Sequence, residues 1–249
     1  IDLNVDVGEG TAERPIDSDE VLIPLTTSAN IACGAHGGDL VYVERAVRLA
    51  VEHGVQIGAH PGYPDRPNFG RQAMQLSEMQ LRDTLAEQLV NSIVVREGGK
   101  ISYVKPHGAL YHACGTDADL ASCVIACVQE FSDGLPLVGQ ANTVFQRACL
   151  DRRSRFVAEA FGDRVYLRGG QLKPRSSAGA MIDLPQGVAR QAVAIATKSK
   201  VKADDGQWIS VDAETICLHG DGKNAGQVIA AVRAGLSSAA VELRGFLVQ

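Results

Sequence analysis

The stretch from Asp39 to Asp65, DLVYVERAVRLAVEHGVQIGAHPGYPD, decides how this chain folds. Asp39 can cap a helix, and Val43, Ala46, Val47, Ala50 and Val51 recur at the i, i+3, i+4, i+7, i+8 spacing that gathers apolar side chains on one face. Gly54 closes that helix, because glycine tolerates the backbone conformation helix ends require. Val55-Gln56-Ile57 then predicts a short strand running into GAHPGYPD. There, glycines and prolines hold the chain around His60 and Asp65. A helix followed at once by an apolar strand is half of a βαβ unit, so the question becomes how often the pattern repeats.

It repeats along the whole chain. Asp2 to Val7 reads as a strand that ends in Gly8-Glu9-Gly10. Ser77 and Gln80 form a capping box, and Leu76 and Leu81 occupy the staple positions around it. Leu85, Leu89 and Ile93 continue the buried face of that helix, which is expected to end near Gly98-Gly99. Ile101 to Val104 reads as a strand, Asp119 to Phe131 as a helix, Leu135 to Gly139 as a strand and Thr143 to Leu150 as a helix. Arg155 to Ala158 and Val165 to Leu167 are short strand candidates; Pro185 to Lys198 reads as helix, Glu214 to Leu218 as strand and Ala225 to Leu236 as the last long helix. Strands alternating with helices imply right-handed crossovers and a parallel sheet covered on both faces. About seven such units exceed what most open sheets hold, so we expect an α/β fold with one irregular, seven-stranded (β/α) barrel over residues 1–249, ahead of a doubly wound sheet.

The totals agree with one enzyme-sized globular unit. The 249 residues are 45% hydrophobic and 21% charged, enough apolar material for a sizeable core. A formal net charge of −5, with both signs interspersed, lacks the basic footprint that nucleic acid demands. No apolar run reaches the roughly 18–20 residues that cross a bilayer, so neither partner class is expected and the chain is placed in the cytosol. The six cysteines form no CxxC pair and read as reduced, mainly buried thiols. Ile1 is not an initiator residue, so the numbering is expected to omit a residue or two.

Each expected strand ends in polar residues: Asp6 and Glu9; Asn30, His36 and Asp39; His60 and Asp65; Lys105 and His107; Gln140 and Asn142; Glu159, Asp163 and Arg164; His219 and Asp221. Carboxyl ends of parallel strands converge on one face, where barrel enzymes build their sites. Asp39 reads as a helix cap rather than a ligand, and His53 as a contact to a helix end. Two uses of the set stay open. Asp6, His60 and His107, with His36 as substitute, can hold a divalent metal that turns water into a nucleophile. Without metal, Asp6 or Glu9 acts as general base, a histidine as acid, and Lys105 stabilises an oxyanion. The glycines spell neither GxGxxG nor a P-loop, so ATP use would need a nonstandard site or another subunit.

Six ordered motifs carry a family resemblance across nearly the whole chain: NVDVGEG (4–10), SANIACGAHGGD (28–39), GAHPGYPD with FGR (58–71), VKPHGALY (104–111), EAFGDRVY (159–166) and HGD (219–221). They resemble the LamB/YcsF family, the A subunits of bacterial 5-oxoprolinase. The resemblance implies a barrel of the glycoside hydrolase/deacetylase type and an ATP-dependent opening of 5-oxo-L-proline to L-glutamate together with B and C subunits. On it, Asp6, Glu9, His36, Lys105 and His107 are expected to be catalytic. Asn30, Asp65, Arg71, His219 and Asp221 are expected to bind substrate. The chain departs from the family at Val5, Val7, Ala35, Gly37, Gln72, Gly222 and Lys223, and none of these replaces a motif His, Asp or Lys. Gln72, where a second Arg often follows Arg71, weakens the case for an arginine pair on an anion. Other expectations are a stand-alone metal-dependent deacetylase or amidase, and a noncatalytic ligand-binding subunit. Oligomeric state, a homo-oligomer included, stays open.

Overall fold

The first strand, β1 (Asp2–Val7), alternates strictly, and its alternation sets the character of the interior. Leu3, Val5 and Val7 join the apolar layer beneath the helices. Asp2, Asn4 and Asp6 point the other way, toward polar side chains of other strands. In the computed structural model, which describes residues 1–90, 98–220, 222 and 224–247, the chain continues through α1 (Asp19–Leu22), β2 (Ser28–Ala32), α2 (Leu40–Glu52), β3 (Gln56–His60), α3 (Glu78–Val90), β4 (Ile101–Val104), α4 (Gly108–Thr116) and α5 (Ala118–Phe131). It goes on through β5 (Leu137–Gln140), α6 (Val144–Asp151), β6 (Phe156–Phe161), α7 (Pro185–Lys198), β7 (Lys200–Lys202), β8 (Trp208–Ser210), β9 (Thr215–Leu218) and α8 (Ala225–Ser238).

The strands close into a seven-stranded barrel in the order β1-β2-β3-β4-β5-β6-β9, every neighbouring pair parallel. Closure joins the two ends of the chain, since β1 pairs with both β2 and β9. The expected seven-stranded (β/α) barrel is the observed one. Its interior differs from the apolar layers usual in such barrels. Asp2 accepts from Ser28 Oγ at 2.6 Å and from Thr215, while Asn4 Nδ2 donates to Glu159 Oε1 at 2.9 Å and Thr215 Oγ1 at 2.7 Å. Tyr103 donates to Asn30 Oδ1 at 2.7 Å, and its ring lies where a side chain at Gly58 would be, 2.1 Å from a Cβ built there. Buried polar groups are tolerated only when paired, so this network reaches from strand to strand.

Several expected elements stand where they were read. The capping box is formed: Gln80 Oε1 accepts from Ser77 N at 2.9 Å, and Ser77 Oγ from Gln80 N at 3.3 Å. The expected continuation of α3 through Ile93 falls on residues 91–97, outside the described residues. Other expectations are corrected. Arg155–Ala158 and Val165–Leu167 are not two strands; one strand, β6, runs from Phe156 to Phe161, and residues 164–166 make only isolated bridges, one of them to Met181. Asp39 occupies the cap position of α2, yet its carboxylate accepts from Ala12 N at 2.7 Å and pairs with Arg66 instead of capping. His60 is the last residue of β3 rather than part of the turn. Three elements were not anticipated: α1, α4 and the antiparallel β7–β8 ribbon. No helix among the described residues is long and apolar enough to cross a membrane.

Candidate active site

A cavity of about 490 Å³, a size typical of small-molecule sites, opens at the carboxyl ends of the strands. Asp6, Glu9, His60, Lys105 and His107 line one part of it. Each arrives by a strand end: Asp6 and Glu9 from β1, His60 from β3, Lys105 and His107 from the segment after β4. Pro61 fixes the exit from β3, and His107 N donates to Pro61 O at 2.8 Å, which ties the two segments together.

Lys105 is 2% exposed, and its ammonium is the electrostatic centre. Nζ lies 3.0 Å from Asp6 Oδ1 and 2.9 Å from Glu159 Oε1, and donates to Asn4 Oδ1 and Cys217 Sγ, each at 3.2 Å. Burial alone would lower the Lys105 pKa; Asp6, Cys217 and Glu159 outweigh it and hold it well above its ordinary value. Burial likewise would raise Asp6, but the Lys105 ammonium and then His60 hold that carboxyl well below the usual range. Asp6 is therefore ionised, and Asn30 Nδ2 donates to the same Oδ1 at 2.8 Å.

The imidazoles are fixed by backbone carbonyls. His60 Nδ1 lies 2.7 Å from Lys105 O, and His107 Nε2 lies 2.9 Å from Phe69 O. A carbonyl only accepts, so those nitrogens carry the protons. The opposite nitrogens, His60 Nε2 and His107 Nδ1, face each other within hydrogen-bonding distance at 3.0 Å, and a proton between them belongs to one of the two. Glu9 Oε1 lies 3.3 Å from His107 Nδ1, and Asp6 Oδ1 3.5 Å from His60 Nε2. One ligand atom from each of Asp6, Glu9, His60 and His107 falls within 4.8 Å of all the others. Asp6 already accepts from Lys105 and Asn30, and a cation among the four would share that carboxylate with them. Mixed imidazole and carboxylate donors are those that suit a divalent transition metal. On this geometry the four residues fit such an ion.

His36 stands behind this group. Its ring stacks on His107 with centroids 3.6 Å apart, and Nε2 lies 3.2 Å from Glu9 Oε1. Burial, then His60, pushes its pKa well below the ordinary value; burial, then His36, does the same for His107, so both rings are neutral. Gly62 explains part of the rigidity of GAHPGYPD. A Cβ there would lie 2.9 Å from His36 Nδ1 and 3.2 Å from His107 Cβ, so only glycine leaves room for the stack.

The other expected site residues divide. Arg71 and His219 line the cavity, and His219 is oriented by Asp163, whose carboxylate lies 2.9 Å from Nδ1. Asn30 lies beneath the cavity, wholly buried against Asn4 and Asp6. Asp65 is not on the cavity wall; its Oδ1 accepts from Asn68 at 2.8 Å within its own loop. Asp221 lies outside the described residues. Reading the sequence missed Tyr111 and His112 of α4 as cavity residues, and Arg175 from the excursion between β6 and α7. The adjacent VKPHGALY motif was the available clue to α4; nothing comparable marks Arg175.

A closed parallel barrel whose carboxyl-end mouth joins two carboxylates, two inward-facing imidazoles and a buried ammonium is the layout of a hydrolytic barrel enzyme. A sequence model of the LamB/YcsF family matches residues 1–248, and the chain belongs to that family. It is 44% identical over 248 residues to the A subunit of a 5-oxoprolinase from Thermus thermophilus, with 99% of each chain covered. It is 40% identical to the subunit so named in Nocardia farcinica, again over 99% of each. Among solved structures it is similar to a lactam utilization protein from Thermus thermophilus, with a TM-score of 0.91, 42% identity and 99% of both chains covered. A T48 deacetylase shares the fold at a TM-score of 0.51 and 14% identity, covering 97% of this chain and 85% of that one.

Proposed function

We propose that this chain is the A subunit of an ATP-dependent 5-oxoprolinase, which opens the lactam of 5-oxo-L-proline to L-glutamate with B and C subunits. The observation that carries the reading is the ionised Asp6 held between Lys105 and His60 at one cavity. Full-length similarity to subunits of that name supports it. A cytoplasmic setting accords with six unpaired thiols.

In the reaction, water adds to the lactam carbonyl carbon and the ring C–N bond breaks. The water oxygen enters the new carboxylate, and a proton reaches the departing nitrogen. Asp6 takes the proton from water, because its neighbours keep it ionised. Lys105, charged and immobile, offsets the charge that develops on the carbonyl oxygen. Neutral His107, with Nδ1 turned inward and 3.0 Å from His60 Nε2, takes up a proton released from water and returns it to the departing nitrogen. Asp6, Glu9, His60 and His107 would hold a divalent metal, which when bound supplies a more acidic water and polarises the carbonyl. Hydrolysis of ATP by the assembled complex drives an opening that is unfavourable on a stable five-membered amide. Arg71 and His219 hold the substrate from the rim, with Asn30 positioning Asp6 from below.

The test is glutamate release from 5-oxo-L-proline by the purified chain, alone and with B and C subunits and ATP. Turnover is expected only in the full mixture, and Asp6→Asn should remove it. Robust turnover by the chain alone without ATP would refute the reading, and hydrolysis of acetylated sugars by the chain alone would replace it with a deacetylase.

A further inference from the structure

One buried charge on the cavity wall lacks an ion-pair partner among the described residues. Arg164 follows β6, lines the cavity and is only 2% exposed. Its Nη2 donates to Lys173 O at 2.6 Å, while its Nε is enclosed without an acceptor. Among the described residues no carboxylate forms an ion pair with it. The neighbouring Asp163 is engaged elsewhere, accepting from His219 N at 2.8 Å and lying 2.9 Å from His219 Nδ1. Burial and then Arg175, which lines the same cavity, both act against the Arg164 charge and lower its pKa. His112, also on the wall, brings no negative charge to it: burial and then Arg164 hold that ring's pKa at about 4, so it is neutral. A guanidinium that is enclosed, repelled by a second arginine and short of acceptors is costly to the fold. An anion entering the cavity would satisfy it.

We infer that Arg164, supported by Arg175, anchors an anionic group of the ligand and, on the reading that the ligand is 5-oxo-L-proline, its carboxylate. A guanidinium recognises planar oxyanions through parallel N–H···O bonds, which fixes orientation as well as position. In 5-oxo-L-proline the carboxylate is carried on the carbon next to the ring nitrogen. Holding it therefore orients the carbonyl toward Asp6 and Lys105 across the same cavity. Such an anchor discriminates the lactam acid from a neutral lactam of the same ring. Inorganic phosphate offers the same chemistry from another source.

The experiment uses the full chain in equilibrium titrations with 5-oxo-L-proline, with the neutral lactam 2-pyrrolidinone and with inorganic phosphate, beside glutamate release by the assembled complex. Arg164→Gln should weaken binding of 5-oxo-L-proline by about 10- to 100-fold and raise KM similarly, with binding of 2-pyrrolidinone unchanged. Arg175→Gln, at a partly exposed position, should act in the same direction by less. Its folding does not depend on a buried site, so it keeps the test valid if Arg164→Gln does not fold. Overturning results are an intact chain that binds none of the anions, or folded variants that bind 5-oxo-L-proline as tightly as the parent. Loss of phosphate binding alone would reassign the arginines to a phosphate. Absence of glutamate release by the parent complex, with anion binding still lost in Arg164→Gln, would sink the functional reading and leave the anion site standing.

Discussion

Lys105→Met keeps the length of a buried stem and removes the ammonium that Asp6 and Glu159 share at 3.0 and 2.9 Å. Removing one partner from a buried ion pair costs about 3–5 kcal/mol, because the remaining charge is stranded away from water. The pH dependence identifies the cause. In the parent protein the folded Asp6 pKa is depressed, so its contribution to stability is present above the unfolded value of 3.8 and lost as pH falls through the folded one. The raised Lys105 pKa contributes stability below 10.5 that is lost only as pH rises through its folded value. Without the ammonium, burial is the largest influence on Asp6 and pushes the carboxyl above 3.8. The variant then folds best with that group protonated, and it loses about 1.4 kcal/mol for each pH unit between the unfolded and the new folded value. Urea unfolding near neutral pH should show the full deficit, and the deficit should narrow steadily toward about pH 4. A deficit below about 1 kcal/mol, or one that does not change with pH, would refute the argument that Lys105 compensates buried carboxylates.

Two further outcomes follow from the same geometry. Gly62→Ala places a Cβ 2.9 Å from His36 Nδ1 and 3.2 Å from His107 Cβ, so it should cost about 1–3 kcal/mol by overpacking and lower turnover of the complex at least about tenfold; a thermal melt beside the glutamate assay checks both, and unchanged turnover would show that the stack need not be held in place. Metal-stripped chain should bind one equivalent of Zn²⁺ or Mn²⁺ in a calorimetric titration. His107→Ala should weaken that affinity by more than about 100-fold and His36→Ala by less, since His36 is not one of the four converging groups and acts on them through Glu9 and its stack on His107; equal effects would remove the distinction drawn between the two rings.

What the sequence revealed and what it concealed divide along a physical line. Interactions between residues close in the chain were legible: the amphipathic face of α2, the reciprocal bonds of Ser77 and Gln80, and the strand-end placement of His60, Lys105 and His107. Number and alternation of such units led to the barrel, because crossover handedness leaves few other arrangements. Elements defined by tertiary contact were not legible. The helix α4 begins at Gly108 with φ +54, where the sequence advertises a turn, and Gly108-Ala-Leu-Tyr carries no capping signal. The β7–β8 ribbon is only three residues per strand, too short to establish a period.

The polar interior is the instructive intermediate case. Strands of a parallel barrel are expected to be apolar on both faces, yet Asp2, Asn4 and Asp6 alternate with Leu3, Val5 and Val7 in plain view. Read strictly, that period of two says that one face of a fully covered strand is polar. It can be so only if other strands supply partners, as Ser28, Asn30, Glu159 and Thr215 do. The consequence reaches the site. Asn30 and Glu159 fix the carboxylate of Asp6 and the ammonium of Lys105 from below, so the reacting groups are clamped by the barrel itself rather than by mobile loops. Arg164 and Arg175, by contrast, sit on the excursion after β6, where nothing in local sequence records which way a side chain turns. The barrel interior fixes the reacting groups, and the excursion adds two arginines to the wall of the same cavity.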